Sequence, residues 1–234
     1  MRTLIGLVLI GLLTSCAEEV VPPGECTHGV TSAERAEGFV LLFDGHSMDQ
    51  WRSYGEEGID RGWGVENGCL TRLGFAGDLI TRRQFGDFDL RLEWRISEAG
   101  NSGIFVRGDE RGPSIHHSGY EMQILDNVGH RDSKDPTHRA GALYDMIAPK
   151  HDTTQPVGYW NRVRIVAQGP RVVFWLNDQV TAEFEQGSDD FLARYARSKF
   201  TDRPRYGTLL EGHIGLQDHF DKVWFRNLRV REIP

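Results

Sequence analysis

The 234-residue sequence holds only 3 cysteines, no Cys-x-x-Cys pair, no internal repeat and no low-complexity stretch. A thioredoxin-type redox pair and a zinc site of clustered thiolates therefore find no support. A basic run is also missing: 27 Lys and Arg stand against 34 Asp and Glu, a net charge of −7. Such a surface does not attract a phosphate backbone, so no nucleic-acid partner is expected. The one unbroken apolar run, residues 4–13, is too short to span a bilayer comfortably, and long helical patterns are scarce. Coiled coils and polytopic membrane proteins are excluded on that ground. What the chain does have is 39% hydrophobic residues, 27 glycines and 6 tryptophans, the makeup of a folded, β-rich domain.

The N-terminus reads as an address. Arg2 precedes the apolar run, which ends in Leu13-Thr14-Ser15-Cys16, a string that resembles the bacterial lipobox. The resemblance implies a signal peptide over residues 1–15, a diacylated Cys16 and, with Ala17 next, sorting to the outer membrane, facing the periplasm or the cell surface. Residues 16–37, with Pro22-Pro23-Gly24, read as the lipidated N-terminus and tether, and residues 38–234 as the domain. Cys26 and Cys69 remain as a pair for an oxidising compartment, although sequence alone does not establish their proximity.

From Phe39 onward the pattern has a period of two. Residues 88–96 alternate so that Leu90, Leu92 and Trp94 share a core-facing side. Further strands are predicted at 102–107, 119–126, 160–167, 171–176, 179–184, 213–217 and 222–230. Only 189–199 reads as a helix, capped by Asp189 or Asp190. Many short strands in one domain predict an all-β, two-sheet antiparallel sandwich of jelly-roll type, with a groove on one sheet.

A set of strings in order then resembles a known family. They are Leu42-Phe43-Asp44-Gly45, Leu90-Arg91-Leu92-Glu93-Trp94-Arg95, Gly100-Asn101-Ser102-Gly103-Ile104-Phe105, Gly119-Tyr120-Glu121-Met122-Gln123-Ile124-Leu125-Asp126-Asn127 and Gly141-Ala142-Leu143-Tyr144-Asp145. Trp175-Leu176-Asn177, Ser198-Lys199-Phe200, Gly215-Leu216-Gln217-Asp218-His219 and Val223-Trp224-Phe225-Arg226-Asn227 complete the set. Together they are similar to the 3-keto-disaccharide hydrolase domain family. The resemblance implies a concanavalin-A-like, glucanase-type jelly roll acting on sugars oxidised at C3. Two departures stand out: Gln50 before Trp51, and Phe220 after Gln-Asp-His, each where glycine is usual.

Glu121 and Gln123 lie two apart on one strand and project from one face, while Tyr120, Met122 and Ile124 take the other. Asp126, at an odd offset, faces away unless a bulge intervenes. Direct hydrolysis of an unmodified glycoside needs two carboxylates about 5–5.5 Å apart for retention or about 6.5–9.5 Å for inversion. No such pair is evident. A C3 ketone relaxes the demand, because it acidifies the C2 proton and lets the C1 oxygen leave by β-elimination, with water adding back for net hydrolysis. Glu121, His130 or His219 is then the candidate base, Arg107 the cation for the enolate, and Gln123, Asn101 and Gln217 the sugar-binding amides. Tyr144, and Trp63 between two glycines, are the candidate sugar platforms. Asp126, also a candidate substrate contact, could with His130 and Asp132 instead hold a divalent cation such as calcium. A non-catalytic carbohydrate-binding module and an ordinary glycosidase remain as alternatives on the same fold.

Overall fold

The computed structural model describes residues 26–234. The expected signal peptide, Cys16 and the start of the tether lie outside the described residues. In chain order the elements are α1 (Ser32–Ala36), β1 (Val40–Leu41), β2 (Trp51–Ser53), β3 (Trp63–Glu66), β4 (Cys69–Arg72), β5 (Leu79–Thr81), β6 (Phe88–Ile96) and β7 (Asn101–Gly108). They continue with β8 (Tyr120–Leu125), β9 (Asn161–Gln168), β10 (Arg171–Leu176), β11 (Gln179–Glu185), α2 (Asp189–Tyr195), β12 (His213–Leu216) and β13 (Val223–Glu232). Every strand pairing is antiparallel. One sheet has eight strands in the order β11-β10-β9-β6-β13-β4-β3, with β1 also on β13, and the other has five, β2-β5-β12-β7-β8. This is the jelly-roll sandwich that the alternation predicts.

The core lies between the sheets. Leu90, Leu92 and Trp94 of β6 and Val163 and Ile165 of β9 meet Ile104, Val106, Met122, Ile124, Ile214 and Leu216 of the five-stranded sheet. β13 keeps Phe225 and then Leu228 inward by shifting register between Arg226 and Arg229, with Asn227 at φ 53°. Strands β7 and β8 are buried on both faces. Their outer face is therefore roofed by loops, and the site forms under that roof.

Two expectations about helices change. A short helix, α1, occurs where tether was expected; Thr31 and Glu34 cap it reciprocally. It is held to the eight-stranded sheet through Glu34, which pairs with Arg229 and Arg91, and its segment is tied to β4 by a Cys26–Cys69 disulfide, Cα–Cα 5.2 Å. The second helix, α2, is capped by Ser188 rather than an aspartate and ends at Tyr195, four residues earlier than expected. The Ser198 hydroxyl then donates to Tyr195 O (2.8 Å), turning the chain so that Lys199 leaves the helix axis.

Candidate active site

Adjacent strands place the site side chains. Glu121 of β8 stands opposite Phe105 of β7, Gln123 opposite Gly103, and Gln217 follows β12 with its N–H donating to Gly103 O (3.0 Å). Glu121, Gln123, Asn101 and Gln217 thus share the outer face of the five-stranded sheet. Gly103 is needed at the centre of this row: a β-carbon there would meet Glu121 Oε1 at 2.5 Å. The missing side chain leaves the space in which the carboxyl lies.

These groups open on a cavity of about 230 Å³, closed from above by His116, Tyr144, Lys199, Phe200, Arg203 and His219. The Gln123 amide, oriented to satisfy its neighbours, donates to Glu121 Oε1 (3.1 Å) and Ser102 O (3.0 Å). Lys199 Nζ sits 4.1 Å from the Tyr144 ring centroid, and that ring stacks on His138 at 4.5 Å. Asp145 braces the arrangement, accepting from Lys199 N (2.6 Å) and pairing with His138 Nε2 (3.1 Å). The Arg203 guanidinium lies over Phe200 at 4.9 Å and donates to His116 O.

Electrostatics separate the groups. Burial, above all, pushes the Glu121 carboxyl well above the usual range; Asp78 adds to the rise, while Lys199 and a hydrogen bond from Gln217 oppose it. At neutral pH this carboxyl is held protonated. Burial and then Arg203 lower His116 to about 4, so its imidazole is neutral. Desolvation also lowers Lys199, with Glu121 and Asp145 pulling the other way. Two wall atoms, Gln217 Oε1 and His219 Nδ1, are buried without a partner, and a hydroxyl-bearing ligand would satisfy them. Glu121 carries the only carboxyl among the lining residues.

The cavity thus presents one neutral carboxyl beside the side chains of Lys199 and Arg203. The model of the 3-keto-alpha-glucoside-1,2-lyase-like domain matches residues 38–231. The chain belongs to that family. A 3-keto-disaccharide hydrolase from Bacteroides thetaiotaomicron is 34% identical over 228 residues, covering 84% of this chain and 79% of that protein. A crystal structure from Parabacteroides distasonis, described as a "putative glycosyl hydrolase", superposes with a TM-score of 0.83 at 28% identity over 88% of this chain and 99% of that one. The carbohydrate binding module CBM66 from Bacillus subtilis shares the fold, with a TM-score of 0.50 at 14% identity over 78% of this chain and 96% of that one.

Within this lyase-like domain, the structure gathers Glu121, Gln123, Asn101, Gln217, Tyr144 and His219 in one cavity, and sends others elsewhere. Arg107 does not reach it. Its φ of 55° and the register shift between β12 and β7 break the alternation, so the buried guanidinium donates to Gly169 O (2.7 Å), Gly86 O and Asp87. Trp63 is core rather than platform, with its indole N–H on Gly77 O (2.8 Å). Its flanking glycines reflect close packing: a β-carbon on Gly62 would meet Phe75 O at 2.4 Å, and one on Gly64 would meet Leu73 Cδ1 at 2.6 Å.

Asp126 faces a separate cleft of about 620 Å³ and accepts from the backbone N–H groups of Ala99 (2.8 Å) and Val128 (3.0 Å). It shapes a loop. His130 stands behind His219, rings 6.5 Å apart, outside the cavity wall, and its Nδ1 accepts from Asp132 N. Asp126, His130 and Asp132 do not form a cation site: among the described residues no three His, Cys, Asp or Glu side chains gather to hold a metal. Sequence reasoning missed Lys199 and Arg203 as wall residues, while His116 was expected only as one of several loop histidines at a rim. Lys199 lies in the matched Ser198-Lys199-Phe200 string, which is the one signal that marks it. Asp78 was also missed: it precedes β5 on the groove-facing parity of Ile80, accepts from Asp218 N (3.1 Å), and is pushed up to about 6, chiefly by burial.

Proposed function

We propose that the protein cleaves glycosidic bonds of 3-keto-glycosides, 3-keto-disaccharides among them, by removal of the C2 proton and departure of the C1 oxygen. The observation that carries this reading is the cavity's inventory: one buried carboxyl held neutral, two cations and no second carboxyl. Hydrolysis of an unmodified glycoside by paired carboxylates lacks its second member there. Elimination beside a ketone needs instead a base, an oxyanion site and an acid. The name of the 34% identical relative supports the substrate class.

His219 takes the base role, its unpartnered Nδ1 receiving the C2 proton. Lys199 and Arg203 hold the enolate oxygen that forms at C3, replacing Arg107 in that role. Protonated Glu121 delivers its proton to the departing oxygen as the C1–O bond breaks and the C1–C2 double bond forms. The products are an alcohol and a 1,2-unsaturated 3-keto sugar; addition of water across that double bond completes net hydrolysis. Asn101, Gln123 and Gln217 orient the hydroxyls, and Tyr144 lies beside the ring.

The test offers matched glucosides with and without the C3 ketone and follows cleavage by mass spectrometry. Turnover of the oxidised sugar alone is expected. Cleavage of the unoxidised one alone would return the site to ordinary glycosidase chemistry, and binding without turnover would make it a carbohydrate-binding module. We also propose that residues 1–15 are removed and Cys16 is lipidated, placing the enzyme on the outer membrane.

A further inference from the structure

Two phenylalanines stand out of the surface beside the cavity mouth. Phe75, in the loop between β4 and β5, is 77% exposed, and Phe220, in the turn between β12 and β13, is 67% exposed. Their rings stack on each other, centroids 6.1 Å apart and 21° from parallel. They come from distant parts of the chain, and no other phenylalanine among the described residues is so exposed. Isolated apolar side chains on a surface need no explanation, but a stacked pair held in place does.

The holding device is Asp218. Its carboxylate is almost fully buried and accepts from the backbone N–H groups of Ala76 and Gly77 (2.9 Å each) and of Phe220 (3.0 Å), and it pairs with Arg72. One side chain thus locks the loop of the first ring to the turn of the second. Phe220 moreover sits at φ 69°, in the left-handed region that disfavours a residue with a β-carbon. The fold therefore maintains an exposed ring at a position where its backbone prefers glycine.

The pair is continuous with the site. His219, between Asp218 and Phe220, lines the cavity, and its ring meets that of Phe220 edge-on at 6.1 Å. The cavity, at about 230 Å³, is smaller than the ~300–1,000 Å³ of sites that enclose a drug-sized ligand. On the chemistry proposed above, a space of that size takes one sugar ring, with the group attached at C1 directed toward the mouth. We infer that Phe75 and Phe220 form the leaving-group subsite, a flat apolar shelf that selects glycosides whose aglycone is aromatic or otherwise planar and apolar. This rests on the 3-keto-glycoside reading above and adds which member of that class is preferred.

The test compares kcat/KM for phenyl and methyl 3-keto-glucosides of one anomeric configuration, in wild type, Phe75→Ala, Phe220→Gly and the double variant. Taking the phenyl-to-methyl ratio within each protein cancels the difference in leaving-group acidity between variants. The ratio is expected to fall about tenfold in the double variant, through KM rather than kcat. Phe75→Tyr and Phe220→Tyr, which keep the rings, should retain it. An unchanged ratio in the double variant overturns the shelf. If wild type turns over neither substrate, the catalytic reading fails separately. Calorimetric binding of phenyl against methyl glucoside then still reads the shelf, and equal affinities in wild type and double variant overturn it.

Discussion

Glu121 shows how one residue's surroundings set its chemistry. The absent side chain of Gly103 gives its carboxyl a place to lie, and burial holds that carboxyl neutral at physiological pH. Because its folded pKa is raised, the native state binds more protons than the unfolded one between the ordinary carboxyl range and the raised value. Its contribution to stability is therefore complete below the ordinary range and lost as pH rises through the folded pKa. Glu121→Gln should flatten that alkaline loss in denaturant unfolding measured across pH. The same substitution removes the acid, so turnover should drop about 10²–10⁴-fold. The wild-type rate should decline on the alkaline side of its pH profile, and the residual activity of the variant should lack that decline.

At the scale of elements, strands β7 and β12 show why parity is a guide that can fail. Asn101, Gly103 and Phe105 keep the outer face, yet Arg107, next in phase, turns inward to Gly86, Asp87 and Gly169 because its backbone is left-handed. Arg107→Ala should consequently destabilise the fold by about 3 kcal/mol, by leaving buried acceptors unpaired, while the folded fraction keeps its specific activity. Unfolding curves paired with active-site titration check both halves of that expectation. The disulfide belongs to the same scale. It closes a loop of 43 residues' separation between the segment before α1 and β4. The double variant Cys26→Ser/Cys69→Ser should lose about 4 kcal/mol by the chain-entropy argument, read as a lowered urea midpoint.

For the whole molecule, the proposed leader and the domain make separate demands. If Cys16 is acylated, cells expressing the protein should incorporate labelled palmitate into it, and Cys16→Ser should abolish both the label and sedimentation with membranes. The jelly roll itself was legible because alternation in residues 88–96 and 119–126 names one buried face, whatever the partner strand. Short strands such as β2 and β5 escaped notice, since three residues carry too little periodicity to register. The two glycines beside Trp63 suggested an exposed ring and in fact mark where β3 and the Leu73–Ala76 stretch pack closely.

Local pattern alone settled the fold class and the shared face of Glu121 and Gln123, because a strand's two-residue repeat is a short-range property. Which distant groups complete the cavity was decided only in three dimensions. Lys199 comes in because α2 stops early, Arg203 and His116 because their loops fold over β8, and Phe75 beside Phe220 because Asp218 accepts from Ala76 and Gly77, 142 and 141 residues away in the chain. Such meetings depend on loop closure and on single left-handed residues, and neither leaves a periodic trace in the chain.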